Sequence, residues 1–363
     1  MGAGVDRGRA PLLPPPSLPF SAVCVLGTGR RRRALTGCGE SGYDPSVTSP
    51  TVWTNHGFSP AQEQRLRRAT SAQLVFRPGG GAAPELRDAD VAFGQPPLQE
   101  VLASPRVRWV QLSSAGYGSY DQPEARRVFL ERGAVLTKSS FVYASPCAEH
   151  VLAFMLSWAR RLPWALRAQW GERGWPQGDL RQSSRLLENQ RVILFGLGSI
   201  GARLVELLRP FTPHLTGVRR ELRGDETIPT LRFDDPALPS ALGQADHVVN
   251  LLPGASATQL YFDAARLAGV KPGAIFYNVG RGSTVDQRAL GALLTEGHLQ
   301  AALLDVTDPE PLPPDHPLWN TPNCFITPHS AGGHHDEGDR LVDHFIANLQ
   351  RFERSEPVLD RAF

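Results

Sequence analysis

Short apolar runs alternate with polar, periodic stretches along most of the chain. Between residues 51 and 116, several runs have the length and composition of buried strands: TVWTN, AQLVF, DVAFG and VRWVQLSSAG. The stretches AQEQRLRRA and PLQEVLAS lie between them and have the apolar spacing of amphipathic helices. Alternating strands and helices are typical of a parallel sheet covered by helices. The pattern therefore predicts an α/β unit in this part of the chain.

The same alternation restarts more strongly near residue 191. Six further runs are predicted as strands: RVILFG, LTGV, HVVNLLP, AIFYNV, AALLDV and NCFITP. The segments IGARLVELLRPF and QRALGALLTEG are predicted as helices that connect some of these strands. Six strands, the first of which ends at a glycine-rich turn, are the number found in a complete doubly wound domain. We therefore predict a Rossmann sheet for this region.

Two longer segments outside these alternations are also predicted as helices. SPCAEHVLAFMLSWARRL, residues 145–162, starts with Ser145 and Pro146, which are residue types favoured at a helix start. It then carries a wide apolar face. GDRLVDHFIANLQRFERS, near the C-terminus, has the spacing of one more amphipathic helix.

Residues 1–48 differ in composition from the rest of the chain. They contain the proline-rich run PLLPPPSLP, a run of four arginines and few acidic residues. Such a segment buries little apolar surface, which predicts disorder. Three interpretations stay open: translation that starts further downstream, an arginine-rich targeting segment, and an ordered extension. We expect a cytoplasmic protein, with organelle targeting as the alternative.

The overall composition narrows the classes of partner. The chain is 41% hydrophobic and 20% charged, with a formal net charge of +2. This near balance gives no indication of a nucleic-acid or membrane partner. The four cysteines are scattered along the chain: Cys24, Cys38, Cys147 and Cys324. Because they form no CxxC pair, they suit free thiols in a reducing cytosol.

We expect no metal site in this sequence. The only candidate pair, His334 and His335, occupies adjacent positions whose side chains point in different directions. No further ligand follows at a suitable spacing, so these histidines are interpreted as part of a polar loop.

The glycine pattern in VILFGLGSIGARL has the context that a dinucleotide-binding loop requires. An apolar strand ends at Gly196, and Gly198 and Gly201 follow at the required spacing. A helix begins directly afterwards, at Ser199 and Ile200. The first glycine permits a tight turn, the second lets the backbone approach a pyrophosphate, and the third lets the helix pack on the strand. The helix N-terminus adds free N–H groups for the anion, so we predict a nicotinamide dinucleotide site.

The choice between NAD and NADP depends on the end of the second strand of this domain, GVRRE. An NAD site places an acidic residue there, on the ribose 2′-hydroxyl. Here Arg219 and Arg220 stand at that position, and an arginine pair favours a 2′-phosphate. We predict that NADP is preferred over NAD, with a ribose contact from Glu221 as the alternative.

Charged side chains stand at the ends of three later strands, where open α/β sheets bind their ligands. Arg281 follows AIFYNV, Asp305 and Glu310 come at and after the end of AALLDV, and His329 follows NCFITP. An arginine clamps a carboxylate through two hydrogen bonds, and a histidine paired with a carboxylate acts as a general acid. Beside a nicotinamide, Arg281 would orient a 2-keto acid and His329 would supply the proton.

On these motifs the sequence resembles the D-isomer-specific 2-hydroxyacid dehydrogenases, which include glyoxylate/hydroxypyruvate reductases and phosphoglycerate dehydrogenases. The stretches that carry the resemblance are GLGSIG, KPGAIFYNVGRGSTVD, ALLDVTDPEPLPPDHPLWNTPN and TPHSAGG, with weaker matches in QLSSAGYG and ASPCAEHVLAFML. They lie between about residues 85 and 333. The resemblance implies an NAD(P)-dependent oxidoreductase that transfers a hydride between nicotinamide and a small 2-keto acid or D-2-hydroxy acid.

The resemblance also implies roles for single residues. It makes Arg281, Glu310 and His329 the catalytic set. The implied cofactor contacts are Leu252 and Pro253 at the adenine end, Val279 and Gly280 along the cofactor, and Asp305 at the nicotinamide carboxamide. The segment SSAG, which contains Ser114, Ala115 and Gly116, would offer backbone N–H groups to the substrate carboxylate that Arg281 also contacts.

The family further implies how the domains are connected. A Rossmann dinucleotide-binding domain, residues 144–331, is inserted in a smaller flavodoxin-like α/β substrate domain that consists of residues 49–143 and 332–363. Hinges near residues 143 and 331 would close the cleft over the substrate. Two alternatives to an active enzyme stay open on the same fold: a dinucleotide-sensing, corepressor-like binding protein and an inactive homologue.

Members of the family are commonly homodimers joined through the long helix and the arm after it. In this chain Trp164, Trp170 and Trp175 suit such an arm. The same tryptophans equally suit the core of a single subunit.

Overall fold

The structure is a computed structural model that describes residues 49–171 and 173–363. The predicted disorder of residues 1–48 concerns a segment outside the described residues. Within the described chain, parallel strands form two sheets, which confirms the predicted α/β class. The strands are β1 Thr51–Thr54, β2 Gln73–Phe76, β3 Val91–Gly94, β4 Trp109–Leu112, β5 Val135–Thr137, β6 Val192–Phe195, β7 Leu215–Arg219, β8 Thr230–Arg232, β9 His247–Asn250, β10 Ile275–Asn278, β11 Ala301–Leu304 and β12 Cys324–Ile326.

Helices connect these strands and cover the sheets. The α-helices are α1 Pro60–Ala69, α2 Leu98–Ala103, α3 Pro123–Arg132, α4 Ser140–Ala159, α5 Leu162–Trp170, α6 Gln177–Ser183, α7 Ser199–Leu208, α8 Leu238–Leu242, α9 Ala264–Ala268, α10 Gln287–Thr295 and α11 Glu337–Glu353. Among these described helices, none is long and apolar enough to span a membrane.

The first sheet has the strand order β2-β1-β3-β4-β5, which is the flavodoxin-like order. Its buried aromatic residues include Trp109 and Phe93. The C-terminal helix α11 packs on this sheet, because Leu341, Phe345 and Leu349 share a core with Trp109 and Phe93. The chain therefore returns to the first sheet after it has completed the second.

The second sheet has the order β12-β11-β10-β9-β6-β7-β8, which is the Rossmann order with one additional edge strand. Strand β6 pairs with β7 on one side and with β9 on the other. The strand order reverses at β6 and β9, and their carboxyl ends form the crevice where doubly wound sheets bind ligands. Apolar residues are buried on both faces of this sheet.

The long helix differs from the prediction at both ends. α4 begins at Ser140 rather than at Ser145, so that Pro146 lies inside it. Tertiary packing explains the earlier start, because Val142 is buried in the core of the first sheet. At the other end Arg161 has a left-handed backbone, with φ 58, and separates α4 from α5. α4 therefore joins the cores of both sheets, since Val151 packs in that of the second.

Two strands were not predicted from the sequence. β5 and β8 have three residues each, and β8 lies at the edge of its sheet. Such short segments show too little apolar alternation to be recognised without their neighbours.

Candidate active site

The glycine loop follows β6 and forms the N-terminus of α7. Gly196 has φ +102, a conformation that other residues rarely adopt, and a Cβ at Gly201 would overlap the carbonyl oxygen of Gly196. At Gly198 nothing lies within 4 Å of a Cβ position. No side chain caps the first N–H groups of α7. The unobstructed backbone at Gly198 and the uncapped N–H groups of α7 lie together, and this arrangement fits the pyrophosphate of a dinucleotide.

A cleft of about 1050 Å³ lies in front of this loop. Part of its lining consists of predicted cofactor contacts: Gly196, Gly198, Arg219, Arg220, Leu252 and Pro253. The other predicted contacts are not among the described residues that line it: Ser199, Ile200, Gly201, Val279, Gly280 and Asp305. Val279 is 6% exposed and belongs to the apolar core. A Cβ at Gly280 would lie 2.5 Å from the carbonyl oxygen of Leu252, so Gly280 lets two strand ends approach closely.

The two arginines at the end of β7 have different surroundings. Nη1 of Arg219 lies 3.0 Å from Oε1 of Glu226, and both side chains are largely buried. Glu226 also accepts hydrogen bonds from the backbone N–H groups of Arg223 and Gly224, which hold the pKa of its carboxyl below the usual value. Arg220 is exposed and has no hydrogen-bond or ion-pair partner in the described chain. The arginine available to an anion is therefore Arg220.

The structure brings His329 and Glu310 together. Nδ1 of His329 donates to Oε2 of Glu310 at 2.8 Å, while Oε1 accepts from the backbone N–H of Thr307 at 3.0 Å. The imidazole is half exposed. Since an ionised carboxylate only accepts hydrogen bonds, the pair fixes the proton on Nδ1. Within the described residues Nε2 has no hydrogen-bond partner, so it is available to a substrate.

Asp305 holds the loop that carries His329. Its carboxylate is buried and accepts hydrogen bonds from Oγ1 of Thr327 at 2.6 Å and from the backbone N–H groups of Ser330 and Ala331 at 2.9 and 3.1 Å. The N–H of His329 itself donates to the carbonyl of Asp305 at 2.9 Å. The contact of Asp305 with the nicotinamide carboxamide stays a prediction. The structure shows that Asp305 holds the loop of His329 in place.

Arg281 lies between the two sheets. Its guanidinium is in such close contact with Gly116 that a Cβ at this glycine would overlap Nη2. Gly116 belongs to the SSAG segment, in which Oγ of Ser114 donates to the carbonyl of Gly116 at 2.7 Å and Ala115 is half-buried. Arg281 and the predicted carboxylate-binding segment are therefore brought together.

Sequence reasoning missed the residues that position Arg281. Nδ2 of Asn278 donates to the carbonyl of Arg281 at 3.1 Å, and Oγ1 of Thr284 donates to the same oxygen at 2.6 Å. Asn250 is fully buried and donates to both of these side chains. The signal was present, because an asparagine ends each of two neighbouring apolar strands and buried amides require partners.

Comparisons with known proteins agree with this geometry. The family model described as "D-isomer specific 2-hydroxyacid dehydrogenase, NAD binding domain" matches residues 152–331. The glyoxylate/hydroxypyruvate reductase B of Pectobacterium carotovorum subsp. carotovorum is 33% identical over 254 residues, which are 68% of this chain and 77% of that protein.

Two solved structures show the same fold over most of the chain. A D-isomer specific 2-hydroxyacid dehydrogenase from Xanthobacter autotrophicus, in complex with NADPH and MES, is 28% identical with a TM-score of 0.72 and covers 87% of this chain and 98% of its own. The NADPH-dependent glyoxylate/hydroxypyruvate reductase of Sinorhizobium meliloti, in complex with NADP and malonate, is 25% identical with a TM-score of 0.67. The match covers 87% of this chain and 97% of that protein. The chain therefore belongs to the D-isomer specific 2-hydroxyacid dehydrogenase family, and it is an NAD(P)-dependent oxidoreductase of 2-hydroxy and 2-keto acids.

Proposed function

We propose that this enzyme reduces a small 2-keto acid, either glyoxylate to glycolate or hydroxypyruvate to the D-2-hydroxy acid, and that it prefers NADPH. The observation that carries this proposal is the His329–Glu310 pair at a strand end of the Rossmann sheet, with Nε2 left unpaired. The names of the relatives support the substrate class, because one is a glyoxylate/hydroxypyruvate reductase and another is NADPH-dependent.

In the proposed mechanism the chain's residues orient the substrate and supply a proton. When bound, the nicotinamide supplies the hydride that reduces the keto carbon. Arg281, held against Gly116, pairs with the substrate carboxylate and polarises the carbonyl. In its imidazolium form His329 donates the Nε2 proton to the oxygen that becomes the hydroxyl, and the ring is left neutral with its remaining proton on Nδ1. Glu310 keeps Nδ1 protonated throughout and holds the ring in orientation, as the carboxylate of a catalytic triad does for its histidine.

The preference for NADPH is supported by the charge at the end of β7. Arg219, Arg220 and Arg223 line the cleft, and Glu221 is the acidic residue among them. Glu221 is exposed, whereas an NAD site needs an acid directed at the ribose. The proposal assigns the 2′-phosphate chiefly to Arg220, because Arg219 is already paired with Glu226.

Steady-state kinetics with NADPH and NADH against glyoxylate, hydroxypyruvate, pyruvate and bulkier 2-keto acids test this proposal. We expect turnover with glyoxylate and hydroxypyruvate, and a kcat/KM at least tenfold higher with NADPH than with NADH. Tight cofactor binding without turnover of any keto acid would contradict the proposed reaction. Equal or better kinetics with NADH would contradict only the cofactor preference.

A homodimer in the cytoplasm completes the proposal. Trp170 and Trp175 are 77% and 89% exposed in the arm after α4, which a partner subunit would cover. Trp164 instead packs on Trp158, with ring centroids 4.7 Å apart, and so serves the core of the subunit. Light scattering on the purified protein tests the dimer, and Trp175→Ser is expected to shift it towards monomer.

The free thiols of Cys147 and Cys324 suit a reducing compartment, which cell fractionation checks.

A further inference from the structure

The cofactor cleft has a second wall that none of the predicted contacts includes. Tyr117, Gly118, Asp121, Pro123 and Arg126 line it, and they lie in the segment after β4 and the first turn of α3. This wall belongs to the first sheet, whereas the glycine loop belongs to the second. The two walls meet where a Cβ at Gly118 would lie 3.4 Å from the carbonyl oxygen of Gly254.

Arg126 is the cation of this second wall. Its Nε and Nη2 donate to a single carboxylate oxygen, Oδ1 of Asp121, at 3.0 and 2.6 Å. Its guanidinium also lies 4.7 Å from the ring centroid of Phe363, and the side chain is nearly half exposed. These contacts and a hydrogen bond with Tyr117 hold the guanidinium in place at the cleft wall.

The position of Arg126 is unfavourable for the helix itself. It is the fourth residue of α3, where the positive end of the helix dipole favours acidic side chains rather than a cation. Asp121 offsets part of this cost and raises the pKa of the guanidinium. The arginine therefore adds positive charge to a cleft wall at a point where helix stability alone would select against it.

We propose that Arg126 contacts a phosphate group of the nicotinamide dinucleotide from the side of the first sheet. The cleft already presents the uncapped N-terminus of α7 and Arg220 on the opposite wall. A dinucleotide between these walls meets cations on both sides, so its binding draws the two sheets together. The inference rests on the proposed dinucleotide binding and adds a residue of α3, on the side of the first sheet, to the cofactor site.

Equilibrium titration of the full-length protein with NADPH and with NADH, followed by cofactor fluorescence, tests the contact. Arg126→Gln is expected to raise Kd about tenfold, as removal of one charge-assisted hydrogen bond does. A loss confined to NADPH assigns the contact to the 2′-phosphate, and an equal loss with both cofactors assigns it to the pyrophosphate. Arg127→Gln is the matched control, because Arg127 is exposed, pairs with Glu131 and does not line the cleft.

Asp121→Asn separates a phosphate contact from a purely structural ion pair. It removes an acid from the cleft and frees the guanidinium, so Kd is expected to stay unchanged or to fall. The inference would be overturned if the Kd of Arg126→Gln for both cofactors lay within twofold of that of Arg127→Gln. It would also be overturned if Asp121→Asn and Arg126→Gln raised Kd by the same factor. Failure of the unmodified protein to bind either cofactor would instead overturn the proposed function.

Discussion

Nδ1 of His329 lies 2.8 Å from Oε2 of Glu310, and the backbone of His329 has φ 50, in the left-handed region. Only a few per cent of non-glycine residues adopt this conformation, and it costs free energy that the surrounding contacts offset. Here the N–H of His329 donates to the carbonyl of Asp305, and the Asp305 carboxylate accepts from the two residues that follow. The loop thus fixes the backbone, and Glu310 fixes the ring.

His329→Gln is expected to lower kcat by about 10²- to 10⁴-fold, because a general acid contributes that much to a proton transfer. Kd for NADPH is expected to stay within twofold of the unmodified protein, since His329 does not line the cofactor cleft. Glu310→Gln keeps an acceptor for Nδ1 but removes the charge, and we expect about a tenfold loss of kcat. Pre-steady-state and steady-state kinetics measure both effects, and unchanged kcat in His329→Gln would remove its assigned role.

Gly116→Ala is expected to weaken substrate binding with little effect on stability. The added methyl group would overlap Nη2 of Arg281. Because Nη2 is the far end of a flexible side chain, we expect the guanidinium to move and the protein to stay folded. Displacement of this guanidinium raises KM for the keto acid by about tenfold, through loss of one charge-assisted contact. Kd for NADPH and the melting temperature serve as controls. Unchanged KM would show that Arg281 does not depend on this contact.

Alanine at two glycines of the same loop separates fold from binding. Gly201→Ala is expected to cost about 1–3 kcal/mol of unfolding free energy, because its methyl group would overlap the Gly196 carbonyl. Gly198→Ala has open space and an ordinary φ of −83, so its stability is expected to change by less than about 0.5 kcal/mol. Its Kd for NADPH is nevertheless expected to rise, since the methyl group occupies the approach of the pyrophosphate. Denaturant unfolding and cofactor titration measure the two quantities.

These glycines also show which parts of the site a sequence can reveal. The roles of Gly196 and Gly201 depend on sterics within a single strand–turn–helix unit, so their spacing was sufficient to predict the turn. The charged residues at strand ends were predictable for a similar reason, because parallel strands bring their carboxyl ends to one edge. Local sterics and the regular order of the sheet therefore determine the glycine loop and the charged residues at the strand ends.

Other features depend on contacts that spacing does not encode. The contact of Arg219 with a phosphate stays a prediction, but its spacing gave no sign that the turn at residues 223–224 brings Glu226 against it. Arg126 lies in α3, which packs with the first sheet, and it reaches the cleft only through the packing of the whole chain. α4 starts at Ser140 because Val142 is buried against the first sheet, which overrides the local preference of Pro146 for a helix start. Tertiary packing determines these features.

The arginines at the end of β7 give a prediction on cofactor choice. Arg220→Gln is expected to raise KM for NADPH about tenfold and to leave KM for NADH unchanged, because only NADPH carries the 2′-phosphate. Arg219→Gln is expected to shift the preference less, since that arginine is already paired with Glu226. A larger change of the NADPH to NADH ratio in Arg219→Gln than in Arg220→Gln would reverse this assignment.

The buried histidine at the start of β9 predicts how stability depends on pH. Nδ1 of His247 accepts from the Tyr277 hydroxyl at 3.0 Å, and Nε2 donates to Oε1 of Gln190 at 2.5 Å. Burial lowers the pKa of His247 from 6.5 to about 4, against an opposing effect of Asp246. The folded state therefore excludes a proton that the unfolded chain binds below pH 6.5, and stability falls as the pH drops from 6.5 towards 4.

The full contribution over this window is about 3 kcal/mol, at 1.36 kcal/mol per pKa unit. Urea unfolding between pH 8 and pH 4.5, at one protein concentration, measures it. His247→Gln is expected to be less stable at pH 8, because it disturbs two buried hydrogen bonds, but to lose less stability than the unmodified protein as the pH falls below 6.5. Parallel pH profiles of the two proteins would show that His247 does not titrate on unfolding.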